Sequence, residues 1–592
     1  MNMLRSQKSI SVILCGLLSA LVLAVLILAS VPPVDRDGLT HHLAVPKLYL
    51  KQGGMVELPS VSFSYYPMNL DLLYLIPLYF GNDIVPKYIH FAFALLTAWL
   101  IQRYLHRRTQ ELGYSLLGAL LFLSLPVVIK LSITVYVDLG LAFFTTASLL
   151  SLLRWANESY RARHLIVSAA FCGLALGTKY NSLVSFFLLA CLVPVLYARG
   201  LEKLYPPPTS MITSAERFRL PLMQSTIRAF AWGGLFVFIS LMVFSPWILR
   251  NIYWTGNPIY PLYQGFFKSF GDHQTSLPKE TLTAEEETGE GGVSHFVVRH
   301  KVFNESLAET LTIPVRIFFQ GEDDNPKYFD GRLNPCLFFL PLFVMVGFRR
   351  MPRRLQSDTL AMAGFSTALI LYTFFTTDMR IRYIAPALPP LVIMAILGLR
   401  NLGRLVLEKL LPKCRWLAHA LIGVGISLML APNLNYLVEQ FEYVMPFDYV
   451  CGRVGRDDYI TRFRKDYPAF QFVNRSLPAD CRLLGLYMGN RLYYSERDLF
   501  FGDEFFERIM ATSDSGESLA LTLRDRGFTH LFVRGDVLEY VVRNSLSGRQ
   551  VHVLKEFIST QTRSLFSEGF YHILELVHAP DRLNPGAGPS PQ

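Results

Sequence analysis

Two carboxylates, Asp35 and Asp37, stand only a few residues beyond an uncharged apolar stretch, Ile10 to Val31. A carboxylate at a membrane surface is partly desolvated, which raises its pKa toward a value useful for a general base. Repulsion between the two would raise one of them further. Simple solvation of an acid at the interface is the competing reading. Four cations pose a similar question. Lys179, Arg250, Arg380 and Arg382 each fall at the expected outer end of an apolar segment, against the bias that gathers Lys and Arg on the cytoplasmic side. Snorkelling to lipid headgroups accounts for any one of them. Arg380 and Arg382 share a short turn and make the better pair. Asp138 opens an apolar segment at the same face, where it can pair with a cation or simply favour a helix N-terminus. His41 and His42 could bind a metal or polarise a substrate oxygen. Adjacent residues share no helix face, so no metal site is expected there. Tyr65 and Tyr66 suit a pocket wall or an interfacial aromatic belt.

The elements that must hold these residues are mostly apolar. The chain has 592 residues, 52% hydrophobic and only 17% charged, with a mean hydropathy of +0.31. Soluble domains carry about 25% charged residues, so a soluble surface, a disordered chain, collagen and a coiled coil are all excluded. A spanning helix needs about 20 apolar residues. The first stretch is longer than a signal-peptide core and reads as an uncleaved signal anchor. Further spans are expected near 84–101, 112–129, 137–153, 165–178, 180–198, 229–249, 333–348, 359–377, 383–399 and 416–433, about eleven in all. The segment 70–80 is short and interrupted by Asp71 and Pro77, which suggests a re-entrant or interfacial element.

Alternate connections contain 22 basic and five acidic residues, which makes them cytoplasmic. The net charge of +10 is therefore a record of topology rather than of nucleic-acid binding. The outer face receives the loops 32–83 and about 250–332, the turn near Met379 and everything after 434. The expected organisation is a membrane domain over 1–433, a soluble α/β domain over 434–580 and a disordered tail over 581–592. Within the soluble part, Arg482–Tyr487, His530–Arg534 and Tyr571–Leu576 read as strands and Glu517–Arg526 as a helix. The aromatic run 486–501 suits core packing. Cys451 and Cys481 could form a disulfide there, and no cysteine spacing suggests a metal site. The tripeptides at 304–306 and 474–476 match the Asn-acceptor pattern, which is common by chance.

Five segments carry a family resemblance. "DGLTHHLAVPKLYL" (Asp37–Leu50), "SYYPMNLDLLY" (Ser64–Tyr74), "LGTKYNSL" (Leu176–Leu183), "SPWILRNIYWTGNPIYPL" (Ser245–Leu262) and "RYIAPALPPL" (Arg382–Leu391) occur in this order. They resemble segments of bacterial polytopic glycosyltransferases of the GT-C fold, the group that includes protein O-mannosyltransferases and the aminoarabinose transferase of lipid A. The resemblance implies an α-helical membrane fold and an inverting transfer from a polyprenyl-phosphate sugar donor to an envelope lipid, glycan or protein acceptor. It implies an inner-membrane location with a periplasmic C-terminal domain. Asp37 matches the family's acid and would act as general base, with Asp35 as fallback. Lys179, Arg380, Arg382 and Arg250 would stabilise the lipid phosphate. Asp138, His42 and Tyr66 would line the sugar pocket.

Some members of the group require a divalent cation. The acidic run Glu285, Glu286, Glu287 and Glu290 is a candidate, although a solvated loop explains it as well. The chain has no Trp-Trp pair, so the "WWD" segment of oligosaccharyltransferases is absent. The alternative function is a transporter or flippase of glycan precursors. Transporters place ionisable groups near the midplane, whereas here the expected spans are nearly free of charge.

Overall fold

The computed structural model describes residues 2–204, 215–268, 294–377 and 379–577. The acidic run at 285–290 and the tail 581–592 lie outside the described residues. The chain divides into two compact units. The first comprises Met1–Val31, Tyr66–Tyr260 and Val293–Cys451, and the second Pro32–Tyr65, Pro261–Gly292 and Gly452–Gln592.

The first unit is helical, and each of the segments expected to span carries a helix. Among the described residues seven helices are long and apolar enough to cross a membrane, and a bent pair makes up to eight. The bent pair is Leu112–Ser124 with Pro126–Ser132, meeting at 64°. Its cause is local. Leu125 precedes Pro126 and is steered out of the helical region, to ψ 133°. The amide of Val127, freed by the bend, donates to the Arg332 carbonyl at 3.1 Å. Ala162–Leu176 and Cys336–Met345 are shorter apolar helices. The segment expected to be re-entrant is the helix Asn69–Tyr79, with Pro77 inside it.

Helix Leu388–Leu405 is the centre of this unit. Every residue from Leu388 to Leu399 is buried, as expected of a helix that is apolar all round. By contrast only 17% of the best window in Arg415–Val444 is buried, which leaves that helix at the periphery. On the side of the basic loops, the buried Asp358 joins three elements. It accepts from Tyr104 at 2.8 Å, Arg108 at 2.5 Å and Asn157 at 2.8 Å. Those loops are thus partly neutralised by internal pairing.

The second unit is built on a five-stranded sheet, in spatial order Asp498–Phe501, Arg482–Leu486, His530–Arg534, Tyr571–Leu576 and Thr562–Glu568. Its strands are β1 (Arg482–Leu486), β2 (Asp498–Phe501), β3 (His530–Arg534), β4 (Thr562–Glu568) and β5 (Tyr571–Leu576). β1 is parallel to β2 and β3, while β5 is antiparallel to β3 and β4. Alternation along each strand builds two cores. Leu484, Leu486, Leu531 and Val533 pack with Phe505, Phe506, Leu519, Leu523 and Phe557 on one face. Leu483, Phe532 and Ile573 pack with Phe470 and Val473 on the other. The run 486–501 contributes β2, with Leu492 and Tyr494 against the second core. Cys451 and Cys481, which the sequence allows to pair, are both free cysteines.

Pro32–Tyr65 belongs to this unit as well. This part of the first loop is therefore folded with the C-terminal residues, through contacts that sequence spacing does not reveal.

Candidate functional site

Three of the cations singled out above converge on one ring in the first unit. Lys179 Nζ lies 5.7 Å from the Tyr383 centroid, and the guanidinium carbons of Arg380 and Arg382 lie 6.0 and 5.5 Å from it. Like charges so close repel, and three features offset this. The aromatic face attracts cations. Asp138, 1% exposed, binds Lys179 Nζ at 3.0 Å. Asp330 lies 3.8 Å from Arg380. Arg382 also sits over the Tyr136 ring, 5.1 Å from its centroid. The result is a cationic cluster with aromatic walls, suited to an anionic oxygen-rich group.

The backbone carrying Asp138 is fixed by a residue that sequence reasoning missed. His90 is fully buried. Its Nδ1 lies 2.9 Å from the Leu131 carbonyl, which can only accept, and its Nε2 accepts from the Leu139 amide at 3.0 Å. That pattern requires a neutral imidazole protonated on Nδ1. One ring thereby ties the end of helix Pro126–Ser132 to the start of helix Asp138–Asn157. Tyr74 does similar work, donating to the Tyr136 carbonyl at 2.5 Å. A His within an apolar run carries no periodic signal, so nothing in the sequence marked it.

Three of the resembled segments interlock around Asn69. Its amide nitrogen donates to the Leu174 carbonyl at 3.1 Å, its backbone N–H to the Gly177 carbonyl at 2.8 Å, and its side-chain oxygen accepts from Trp247 at 2.9 Å. A Cβ on Gly177 would lie 2.2 Å from the Asn69 side chain, so the glycine permits the approach. Arg250 belongs to this lattice. It donates to the Tyr66 carbonyl at 3.1 Å and lies between Trp247 and Trp254, 4.6 and 4.8 Å from their centroids. Asn251 donates to the Tyr180 hydroxyl at 3.0 Å, and Tyr66 packs on Tyr180 at 5.2 Å. Arg250 and Tyr66 thus both have partners within this lattice.

In the second unit, Asp35, Asp37, His41 and His42 lie on one short segment. Asp37 caps the π-helical turn Gly38–His42, is half-buried and makes no side-chain cap bond. Asp35 Oδ2 accepts from the Gly38 amide at 2.9 Å. A Cβ at Gly38 would lie 2.1 Å from that oxygen, so a larger residue there would displace the Asp35 carboxylate. His41 stacks on Phe63, with centroids 4.3 Å apart, and His42 is buried. Among the described residues no three His, Cys, Asp or Glu side chains are grouped to hold a metal ion.

Residues 58–254 match the family model described as dolichyl-phosphate-mannose-protein mannosyltransferase. That stretch contains the interlocking segments around Asn69, whereas Asp37 and Arg382 lie outside it. ArnT from Cupriavidus metallidurans bound to undecaprenyl phosphate is 15% identical with a TM-score of 0.53, covering 97% of this chain and 99% of that one. The apo state of the same protein is 14% identical with a TM-score of 0.54, covering 95% and 97%. No curated protein sequence matches the chain. At such identities the likeness establishes the fold. The chain is a polytopic α-helical membrane protein with the GT-C fold of glycosyltransferases, carrying a small C-terminal sheet.

Proposed function

We propose that the protein transfers a sugar from a polyprenyl-phosphate donor to an acceptor hydroxyl on the outer face of the bacterial inner membrane. The observation that carries this reading is the convergence of Lys179, Arg380 and Arg382 on Tyr383, with Asp138 beside Lys179. A leaving phosphate gathers negative charge in the transition state, and preorganised cations stabilise it. The polyprenyl phosphate bound to ArnT supports the same ligand class here.

In the proposed reaction the acceptor oxygen forms a bond to the anomeric carbon. The bond from that carbon to the phosphate oxygen breaks, and its electron pair leaves with the phosphate. The acceptor proton passes to Asp37, and the configuration inverts. Asp35 is the less suited base, since its carboxylate already accepts from the Gly38 amide. Asp138 orients Lys179 and contributes to the sugar pocket.

The test is reconstitution with a radiolabelled polyprenyl-phosphate sugar and an envelope extract. Transfer of label to a lipid, glycan or protein is expected. Movement of the donor across the bilayer without transfer would point to the flippase reading instead. Arg382→Ala should weaken donor binding by about 10–100-fold, the worth of a charge-assisted hydrogen bond. Arg382→Lys should recover part of it. Unchanged donor affinity in Arg382→Ala would remove the phosphate role from this residue.

A further inference from the structure

The first loop carries carbonyls that its own backbone cannot satisfy. Residues 32–35 are neither helix nor strand, and a buried carbonyl without a donor is costly. In the second unit those donors come from residues more than four hundred positions away. Tyr494 Oη donates to the Pro33 carbonyl at 2.7 Å, and Arg464 donates to the Val34 carbonyl. Beyond the acids, the Leu39 carbonyl accepts from the amides of Leu492 and Tyr493 at 3.1 and 3.0 Å. Lys47 then donates to the Tyr493 carbonyl at 2.8 Å and to Glu496 at 2.6 Å. Asp35 and Asp37 are thus bracketed on both sides by backbone held from the C-terminal part of the chain. The donors are themselves anchored, with Leu492 and Tyr494 packed on the sheet core and Tyr494 against Tyr467 at 4.9 Å.

We propose that Arg464 and Tyr494 are positioning residues for Asp37, and that holding this acid is the function of the C-terminal domain in the reaction. This rests on the glycosyltransfer reading. The carbonyls at Pro33 and Val34 set where the chain enters the turn, and the Leu39 carbonyl sets where it leaves. Asp37 lies between them, so the course of its backbone follows from these outside donors. A base displaced by about 1 Å loses on the order of 100-fold in rate.

The experiment uses the full-length protein in detergent or nanodiscs. Tyr494→Phe removes one donor and keeps the ring, Arg464→Met removes the other, and Arg464→Lys restores a donor to Val34. Two quantities are read, amide hydrogen exchange over 33–44 and the split of turnover into kcat and donor affinity. The expected result is faster exchange over 33–44 in Tyr494→Phe and Arg464→Met. Turnover should fall about 10–100-fold at donor affinity within about twofold of wild type, and Arg464→Lys should be intermediate. A merely structural role would lower donor affinity and folded yield together with kcat. That result would overturn the proposal, as would unchanged exchange in both variants or faster exchange with unchanged kcat. Absence of transfer by the wild-type protein would overturn the glycosyltransfer reading and the role of Asp37 with it, while the exchange measurement would still decide whether the C-terminal residues hold the loop.

Discussion

Asp37→Asn is expected to lower sugar transfer by about 10²–10⁴-fold, the range a general base contributes, with folded yield and thermal midpoint close to wild type. The amide keeps the size of the carboxylate and loses its ability to take a proton. Asp35→Asn should behave differently. The Asp35 carboxylate holds the Gly38 amide at 2.9 Å, and an amide oxygen can still accept that bond. Its turnover should therefore change by less than about tenfold if the group only shapes the turn. Single-turnover transfer at saturating donor separates these outcomes. Wild-type rates in Asp37→Asn would exclude it as base, and a large loss confined to Asp35→Asn would move the role there.

Glu305→Gln is expected to destabilise the first unit by about 3–5 kcal/mol, the cost of breaking a buried ion pair. Arg299 and Glu305 have side chains 2% exposed and lie 3.2 Å apart. Arg316 meets the same carboxylate at 3.0 Å. Arg299 also donates to the Lys327 carbonyl at 2.9 Å, and both guanidiniums flank the Phe329 ring, at 5.0 and 5.6 Å. Neutralising Glu305 removes the counter-charge that the buried Arg299 and the half-buried Arg316 share. The effect should reach the cationic cluster as well. Phe329 accepts from the Ile381 amide at 2.9 Å, and the next residue, Asp330, faces Arg380. A lowered thermal midpoint accompanied by weakened donor binding is expected. A midpoint within error of wild type would show that the triad does not organise this loop.

Glu305 illustrates why function could be read only in part from the chain. It is the middle residue of a tripeptide resembling a glycosylation acceptor, at 304–306, and nothing nearby in sequence marks it as a buried anion. Its partners gather through packing of the loop around it, not through helical or strand periodicity. Arg250 is a second case. Its place in a resembled segment suggested phosphate binding, and the fold also sets it between two tryptophans and against the Tyr66 carbonyl, partners the sequence did not reveal. The same types of residue serve either purpose, and only their neighbours distinguish the two.

What the amino-acid sequence determined alone was whatever depends on short-range chemistry. Uncharged stretches about 20 residues long must be helices in a bilayer, because their backbone groups have no other partner. Lys and Arg in alternate connections give them an expected orientation. The strand-like runs 482–487, 530–534 and 571–576 contain β1, β3 and β5, because alternation is also local. Tertiary structure decided the rest. It brought Lys179 to Tyr383 and Asp138, made His90 a fixed neutral brace, and folded the Asp37 loop against residues 492–496. Lys47 and Glu496 are 449 positions apart. Side-chain periodicity reports which face of an element is buried and not what it is buried against, so a pairing over that distance is settled only when the chain packs.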